Sequence, residues 1–246
     1  MYYYSHKDSF SLSVVIPVKD EEASIRRVFE DVRRMCGERF REYEIIIVND
    51  GSTDGTREVC RSLHPLKYVE FDRNYGQTAA LDCGFKLAAH DFVAAIDGDG
   101  QNSAEDIPRM LKYLMDNDLD VVCGWRKVRR DSFFRRSLMR MAYLCRRIVI
   151  HDDIHDSGCT LKVFRREALE GVDLSDGQHR FLPAIMRDRG WKVGEIVVMH
   201  LPRKEGKSKY NSLARVFHGL RDLYAIKRGS TDGVPVSYVI KETVDC

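Results

Sequence analysis

The sequence predicts an α/β fold, a mainly parallel sheet sandwiched by helices. Three observations predict it. Short β-branched apolar runs recur along the chain, segments of helical periodicity alternate with them, and polar, carboxylate-bearing turns follow several of the runs. Strands buried on both faces read as continuous apolar runs, and parallel neighbours need helical crossovers between them. In such sheets ligands sit beyond the carboxyl ends of the strands.

The elements follow in order. "SVVIPV" (13–18) is an uninterrupted apolar strand, and Ile25, Val28, Phe29, Val32 and Met35 then fall at helical spacing. "EIIIVND" (44–50) is the second strand, with a helix expected from about Thr53 to Leu63. "KYVEFD" (67–72) is the third, followed by a helix from Gln77 to Ala89. "FVAAID" (92–97) is the fourth, followed by a helix near Ile107–Met115 and a fifth strand, "DVVCGW" (120–125). From 150 to 210 the pattern is less regular and broken by glycines; "GWKVGEIVVMHLPR" (190–203) reads as a strand pair. A helix is expected over about Leu213–Ile226, and the polar tail from Gly229 is expected to be loosely held.

Bulk properties narrow the class. A chain of 246 residues suits one large α/β domain or at most two small ones. A net charge of +2 excludes a general polycation built for nucleic acid. No apolar stretch approaches the roughly 20 residues that cross a bilayer, and MYYYSHKDSF lacks the apolar core of a signal peptide. Seven scattered cysteines without a CxxC pair fit reduced thiols in a cytoplasmic protein.

Three polar clusters fall at strand ends: Lys19-Asp20-Glu21, Asn49-Asp50-Gly51-Ser52 and Asp97 to Gln101. The fold would bring them to one rim. In "AAIDGDGQN", Asp97 and Asp99 offer hard oxygen ligands of the kind Mg2+ and Mn2+ take, often shared with substrate phosphates. Gly98 and Gly100 let a bulky ligand approach the backbone. The alternative is an acidic turn capping the next helix. Asp50 can accept hydrogen bonds from nucleobase N–H groups; the alternative is helix capping by the Thr53-Asp54 turn.

Together, "VVIPVKDEE", "IIIVNDGSTDGT", "RNYGQTAALDCGF", "AAIDGDGQN", "DSGCTLKVFRRE" and "RKEGKSKY" resemble the family 2 glycosyltransferases of GT-A fold. The nearest subgroup is the polyprenyl-phosphate type, dolichyl-phosphate mannose synthases and bacterial undecaprenyl-phosphate sugar transferases. The likeness runs from about residue 11 to 211, and it implies an N-terminal extension over 1–10, a catalytic domain over 11–228 and a tail over 229–246. It implies that Asp97, Asp99 and Gln101 hold Mg2+ or Mn2+ under the donor diphosphate. It assigns Pro17, Glu21, Asp50 and Gly98 to the nucleotide-sugar pocket, and Arg73, Asn74 and Gly76 to a loop closing over the nucleotide. Arg203, Ser208 and Lys209 match a loop gripping phosphate oxygens. Arg126 matches an arginine that positions the acceptor phosphate, with Arg135 or Arg136 adding to it, and Asp156 matches an aspartate near the reaction centre. Three positions depart from the pattern. Asp20 replaces the usual Asn, Ser157 replaces an aromatic residue, and Asn102-Ser103 replaces Asp-Pro.

The implied reaction is an inverting, metal-dependent transfer from a UDP- or GDP-sugar to a polyprenyl phosphate. A lipid phosphate is already an anion, so it needs cations to place it more than a base to deprotonate it. The stretch 131–149, if helical, sets Arg136, Arg140 and Arg147 against Phe134, Leu138, Met141, Cys145, Ile148 and Val149. Such a helix reads as a membrane-surface element or as an arginine-rich solvated face. "STDGVPVSYVIKETVDC" is too polar to span a bilayer. The expectation is therefore a peripheral enzyme at the cytoplasmic membrane face, with a membrane partner subunit or a homo-oligomer left open. The alternative is a soluble GT-A transferase acting on a sugar, a small metabolite or a protein. His151 and His155 in "HDDIHD" read as loop residues, since a zinc site wants a fuller ligand set. No G-x-G-x-x-G follows the first strand, against a dehydrogenase, and no lysine-bearing phosphate loop does, against a nucleotidyltransferase.

Overall fold

A computed structural model describes residues 8–127, 147, 153–202 and 235–245. Within them lies one sheet of 8 strands in the order β7-β5-β6-β4-β1-β2-β3-β8. In chain order the elements begin with β1 (Asp8–Val18), α1 (Ile25–Arg39), β2 (Phe40–Asn49), α2 (Thr56–Arg61), β3 (Lys67–Phe71) and α3 (Gln77–Leu87). They continue with β4 (Phe92–Ala95), α4 (Asp106–Asp116), β5 (Val121–Trp125), β6 (Lys162–Arg165) and α5 (Arg166–Leu169). A 3-10 turn (Gln178–Arg180), α6 (Leu182–Asp188), β7 (Val193–Val197) and β8 (Ile240–Asp245) complete the set.

Alternation along β1 builds a core on each face. Leu12, Val14, Ile16 and Val18 pack with Ile25, Phe29 and Val32 of α1 and Ile107, Met110 and Leu114 of α4. Val15 packs on the other face with Val48, Phe71 and Ala79, Ala80 and Cys83 of α3. The helical spacing read in α1 is what buries it, since Ile25, Val28, Phe29, Val32 and Met35 are all in the core. Cys36, Cys60, Cys83, Cys123 and Cys159 are buried free thiols.

β1 pairs in parallel with β2 on one side and with β4 on the other. The order of strands therefore reverses at β1, and the crevice beyond the ends of β1 and β4 is where such a sheet binds ligands. β6 runs antiparallel between β4 and β5, with Lys162 opposite both Ala95 and Cys123. Because β6 starts where β4 and β5 end, the residues just before it, Asp156 to Thr160, lie on the same rim.

Several elements differ from the sequence expectation. β6 falls in the stretch taken as irregular, where its four residues include a buried lysine, Lys162. The expected strand pair over 190–203 is a single strand, β7, which pairs in parallel with β5. The tail taken as loosely held contains β8, an antiparallel edge strand on β3. Its alternation is weak because it lies at the sheet edge and stays largely exposed. The second helix is shorter than expected, because the Asp54 carboxylate accepts the Thr56 N–H at 3.0 Å and holds residues 53–55 in a turn. The expected helices over 131–149, save residue 147, and over 213–226, together with Arg135, Arg136, Arg203, Ser208 and Lys209, lie outside the described residues.

Candidate active site

The ends of β1, β2 and β3 form the first wall. Asp50 is buried, and its N–H donates to the Val18 carbonyl at 2.9 Å, locking the β2 exit to β1. Its carboxylate accepts the N–H groups of Tyr75 at 2.6 Å and Gly76 at 3.0 Å. Burial pushes the Asp50 carboxyl up, and those two N–H groups oppose the shift. Asp50 thus organises the 73–76 loop, a task that its spacing in the sequence does not reveal. Gly51 sits at φ +61°, and a Cβ there would meet the Arg73 carbonyl carbon at 2.4 Å. Only glycine allows the two loops to touch so closely. The Asn74 side-chain oxygen also accepts the Gly76 N–H, at 2.9 Å, and the Arg73 guanidinium lies 4.9 Å from the centre of the Tyr75 ring. Asp50, Arg73, Asn74 and Gly76 are therefore one unit.

The β1 exit closes against it. Asp20 adopts φ +50°, a left-handed conformation that Asp tolerates better than most residues. Its carboxylate accepts the Thr53 N–H at 2.7 Å, and Lys19 donates to the Gly51 carbonyl at 2.6 Å. Glu21 donates its N–H to Thr56 at 2.8 Å. The Ser24 hydroxyl stands 3.0 Å from the Glu21 carboxylate and 2.8 Å from the Gly98 carbonyl, bridging the first and fourth strand exits. A Cβ on Gly98 would lie 2.7 Å from Val18 and 3.4 Å from the Pro17 carbonyl oxygen, so Gly98 packs directly against the end of β1.

Beyond β4, the Asp97 carboxylate accepts the Gln77 side-chain amide at 2.9 Å, and the same amide reaches Thr160 at 3.2 Å. Asn102 stands 3.5 Å away on the other carboxylate oxygen. Burial and the neighbouring Asp99 charge push the Asp97 carboxyl up to about 6, against the Thr160 hydroxyl and the charges of Arg126 and Lys162. Asp99 accepts the Gln101 N–H at 3.0 Å. The Gln101 carbonyl in turn accepts the Leu201 N–H at 2.9 Å, tying the loop to the chain after β7. Among the described residues no group of three or more His, Cys, Asp or Glu gathers as a metal cage. Two crowded carboxylates with the Gln101 amide oxygen nearby in sequence are a donor set for a hard cation that completes its shell with ligand oxygens.

The third wall lies after β5 and before β6. Arg126 grips Asp156 with both arms, Nε to one oxygen at 2.7 Å and Nη2 to the other at 2.9 Å. Arg126 is 14% and Asp156 7% exposed, so the pair is largely desolvated. The Asp156 N–H donates to Glu195 at 3.0 Å, and His155 meets the same Glu195 carboxylate at 2.7 Å while stacking on Trp125. His155 is thereby a packing and hydrogen-bonding residue, consistent with a loop role. Lys162 is buried and donates to the carbonyls of Ser157 and Cys159, shaping the turn after Asp156.

The structure thus places Pro17, Glu21, Asp50, Arg73, Asn74, Gly76, Asp97, Gly98, Asp99, Gln101, Arg126 and Asp156 along one rim of the sheet. Sequence reasoning missed Gln77, Thr160, Lys162 and Glu195. Gln77 lies inside the quoted motif "RNYGQTAALDCGF", and Thr160 and Lys162 lie inside "DSGCTLKVFRRE". Nothing in their local spacing marks them as partners of Asp97 or of the Asp156 turn.

Comparisons with known proteins bear on the family and the fold. Residues 13–172 match the profile of glycosyl transferase family 2. The chain is 37% identical over 227 residues to dodecaprenyl-phosphate galacturonate synthase of Rhizobium johnstonii, covering 89% of this chain and 67% of that protein. It is 34% identical over 204 residues to undecaprenyl-phosphate 4-deoxy-4-formamido-L-arabinose transferase of Aeromonas hydrophila, covering 81% and 62% respectively. The chain spans about two thirds of the length of these relatives, 67% and 62%. Glucosyl-3-phosphoglycerate synthase from Mycobacterium tuberculosis, in complex with Mn2+, UDP and phosphoglyceric acid, superposes with a TM-score of 0.70 at 17% identity, over 96% of this chain and 87% of that one. Mannosyl-3-phosphoglycerate synthase from Rubrobacter xylanophilus does so with a TM-score of 0.69 at 13% identity, over 93% and 77%. These two likenesses speak for the fold.

Proposed function

The chain belongs to glycosyl transferase family 2, with a GT-A fold, and from that premise we propose that it moves a sugar from a UDP- or GDP-sugar to a polyprenyl phosphate. The observation that supports the proposal is that the Asp50–Tyr75–Gly76 unit, the Asp97–Gln101 loop and the Arg126–Asp156 pair lie along one rim of the sheet. The acceptor class is supported by two relatives, at 37% and 34% identity, whose names carry prenyl-phosphate acceptors.

In this proposal the nucleotide lies in the first wall, between Pro17, Glu21 and Asp50, under the loop of Arg73, Asn74 and Gly76. Asp97, Asp99 and Gln101 hold a divalent cation, Mg2+ or Mn2+. When bound, that cation neutralises charge on the departing nucleoside diphosphate. Gln77 and Thr160 orient Asp97 toward it. Arg203, Ser208 and Lys209 take phosphate oxygens of the donor. Asp156 fixes the Arg126 fork so that its remaining Nη1 edge receives the acceptor phosphate, aided by Arg135 or Arg136. The acceptor oxygen is already anionic, so the chain's residues place it in line and exclude water instead of removing a proton.

No helix of the described residues is long and apolar enough to cross a membrane. We propose peripheral contact at the cytoplasmic membrane face through the 131–149 stretch, with a membrane partner subunit or a second copy of this chain as the oligomeric alternatives.

A partition assay tests the proposal. The protein is incubated with Mn2+ or Mg2+, radiolabelled UDP- and GDP-sugars and polyprenyl phosphate in detergent, then extracted with organic solvent. Label entering the organic phase, lost on chelation and restored by metal, is the expected result. Label that stays in water, with nucleoside diphosphate released only when a cell extract is supplied, overturns the lipid acceptor and leaves the donor site standing.

A further inference from the structure

The segment from Pro235 to Asp245 does more than add an edge strand. It grips both flanks of the 73–76 loop. Upstream of the loop, the Asp72 N–H donates to the Val239 carbonyl at 3.2 Å, and β8 then pairs along β3. Lys241 pairs with Glu70 at 3.0 Å, and Arg57 and Arg61 pair with Glu242. Downstream of the loop, the Val236 N–H donates to the Leu174 carbonyl at 2.8 Å, and Ser175 bridges Pro235. The stretch after Leu174 binds the first turn of α3, because the Gly177 N–H donates to Thr78 at 3.0 Å and Thr78 meets His179 at 2.7 Å.

Tyr238 is the centre of this strap. Its ring stacks on Phe71, with centroids 4.8 Å apart and planes 21° apart. Phe71, 1% exposed, presents its other contact edge-on to Tyr75, at 5.7 Å and 90°. Tyr75 is the residue whose N–H reaches Asp50 at 2.6 Å. The Tyr238 hydroxyl donates to the buried Asp82 at 3.2 Å, which also accepts the Leu174 N–H at 3.0 Å. A continuous line of contacts thus runs from the strap through two aromatic rings to the carboxylate at the base of the first wall.

We propose that Tyr238 is a positioning residue for the donor nucleotide: stacked on Phe71, it holds Tyr75 and hence the 73–76 loop in the conformation that receives the nucleotide. The inference rests on the donor site described above. A loop held at both flanks is ordered during folding, so its ordering cost is not met again at each binding event. Loss of that ordering weakens donor binding. It leaves the rate from the fully bound state alone, because the Asp97 and Arg126 walls are untouched.

The test compares Tyr238→Ala, Tyr238→Leu and Tyr238→Phe, each assayed well below its own measured melting temperature. Donor KM, acceptor KM and kcat are measured, and UDP and GDP binding with Mn2+ is followed by calorimetry without transfer. Tyr238→Ala is expected to raise donor KM and the nucleotide Kd by about three- to tenfold, the worth of one aromatic contact. Its kcat and acceptor KM stay within about twofold of the parent. Tyr238→Phe keeps the stack and returns donor KM to the parent value, and Tyr238→Leu falls between. Unchanged donor KM and nucleotide Kd in a Tyr238→Ala protein with a lowered melting temperature would make the strap purely structural. A kcat that falls while donor KM holds would also overturn the proposal. A parent protein that binds neither UDP nor GDP would overturn the donor-site assignment itself, which separates the two failures.

Discussion

Replacing Asp156 by asparagine probes the proposed acceptor wall and the energetics of its ion pair together. Arg126 and Asp156 form two charge-assisted bonds of 2.7 and 2.9 Å at 14% and 7% exposure. Removing one partner of a buried pair leaves an uncompensated charge, at a cost of about 3–5 kcal/mol. Asparagine keeps one acceptor oxygen for the guanidinium, which puts Asp156→Asn at the lower end, about 3 kcal/mol. For a chain of this size that is a fall in Tm of about 6–12 °C. Arg126→Met combined with Asp156→Leu removes both charges and fills the space with apolar volume. The double variant is expected to lie within about 1–2 kcal/mol of the parent, far from the sum of the single changes. Urea unfolding reads stability, and the partition assay reads transfer. Transfer is expected to be lost in Arg126→Met and in Asp156→Leu alone, and to stay lost in the double variant, because the guanidinium is gone there. A cost below about 1 kcal/mol for Asp156→Asn, or simple additivity in the cycle, would refute the buried pair. Recovery of transfer in the double variant would refute the role given to Arg126.

Other expectations follow from the same geometry. Gln77→Leu removes the amide that orients Asp97, and the Mn2+ concentration for half-maximal transfer should rise about 10- to 100-fold, as read by metal titration of activity. Gly51→Ala drives a Cβ to 2.4 Å from the Arg73 backbone, which cannot swing aside as a side chain would. It should cost about 1–3 kcal/mol in urea unfolding and weaken nucleotide binding beyond the cost of a surface change. Glu44 is pushed up by burial, but hydrogen bonds from Ser13, the Ala89 N–H and Lys67, with the Lys67 charge, outweigh this and hold it below the usual glutamate range. A depressed carboxyl contributes stability above its ordinary range and loses it as pH falls through the folded value. Urea midpoints across pH should show a Glu44→Gln deficit at neutral pH that shrinks in acid; a pH-independent deficit would contradict the linkage.

Much of this molecule is legible along the chain. β1, β2 and β4 announce themselves because strands buried on both faces need uninterrupted β-branched runs, and α1 does so because one face of a helix recurs every 3.6 residues. The carboxylates at 50, 97 and 99 stand out because they break those runs where a ligand-binding rim belongs. Both signals belong to neighbouring residues, so no tertiary contact is needed to see them.

Only the folded chain decided the rest. β6 is four residues that begin on a buried lysine, and it is a strand because β4 and β5 offer it open hydrogen-bonding edges on both sides. β8 is a largely exposed polar segment held by the edge of β3 and by ion pairs to Arg57 and Glu70. Asp50 meets Tyr75 across 25 positions, and Arg126 meets Asp156 across 30. Sequence by itself determined where strands and acidic turns lie, because periodicity and burial are local demands on consecutive side chains. Which carboxylate holds a loop, which grips a guanidinium and which faces its twin was decided by the path of the backbone. Those pairings depend on the closure of long loops and on strand order at the switch point, and neither leaves a local mark in the sequence.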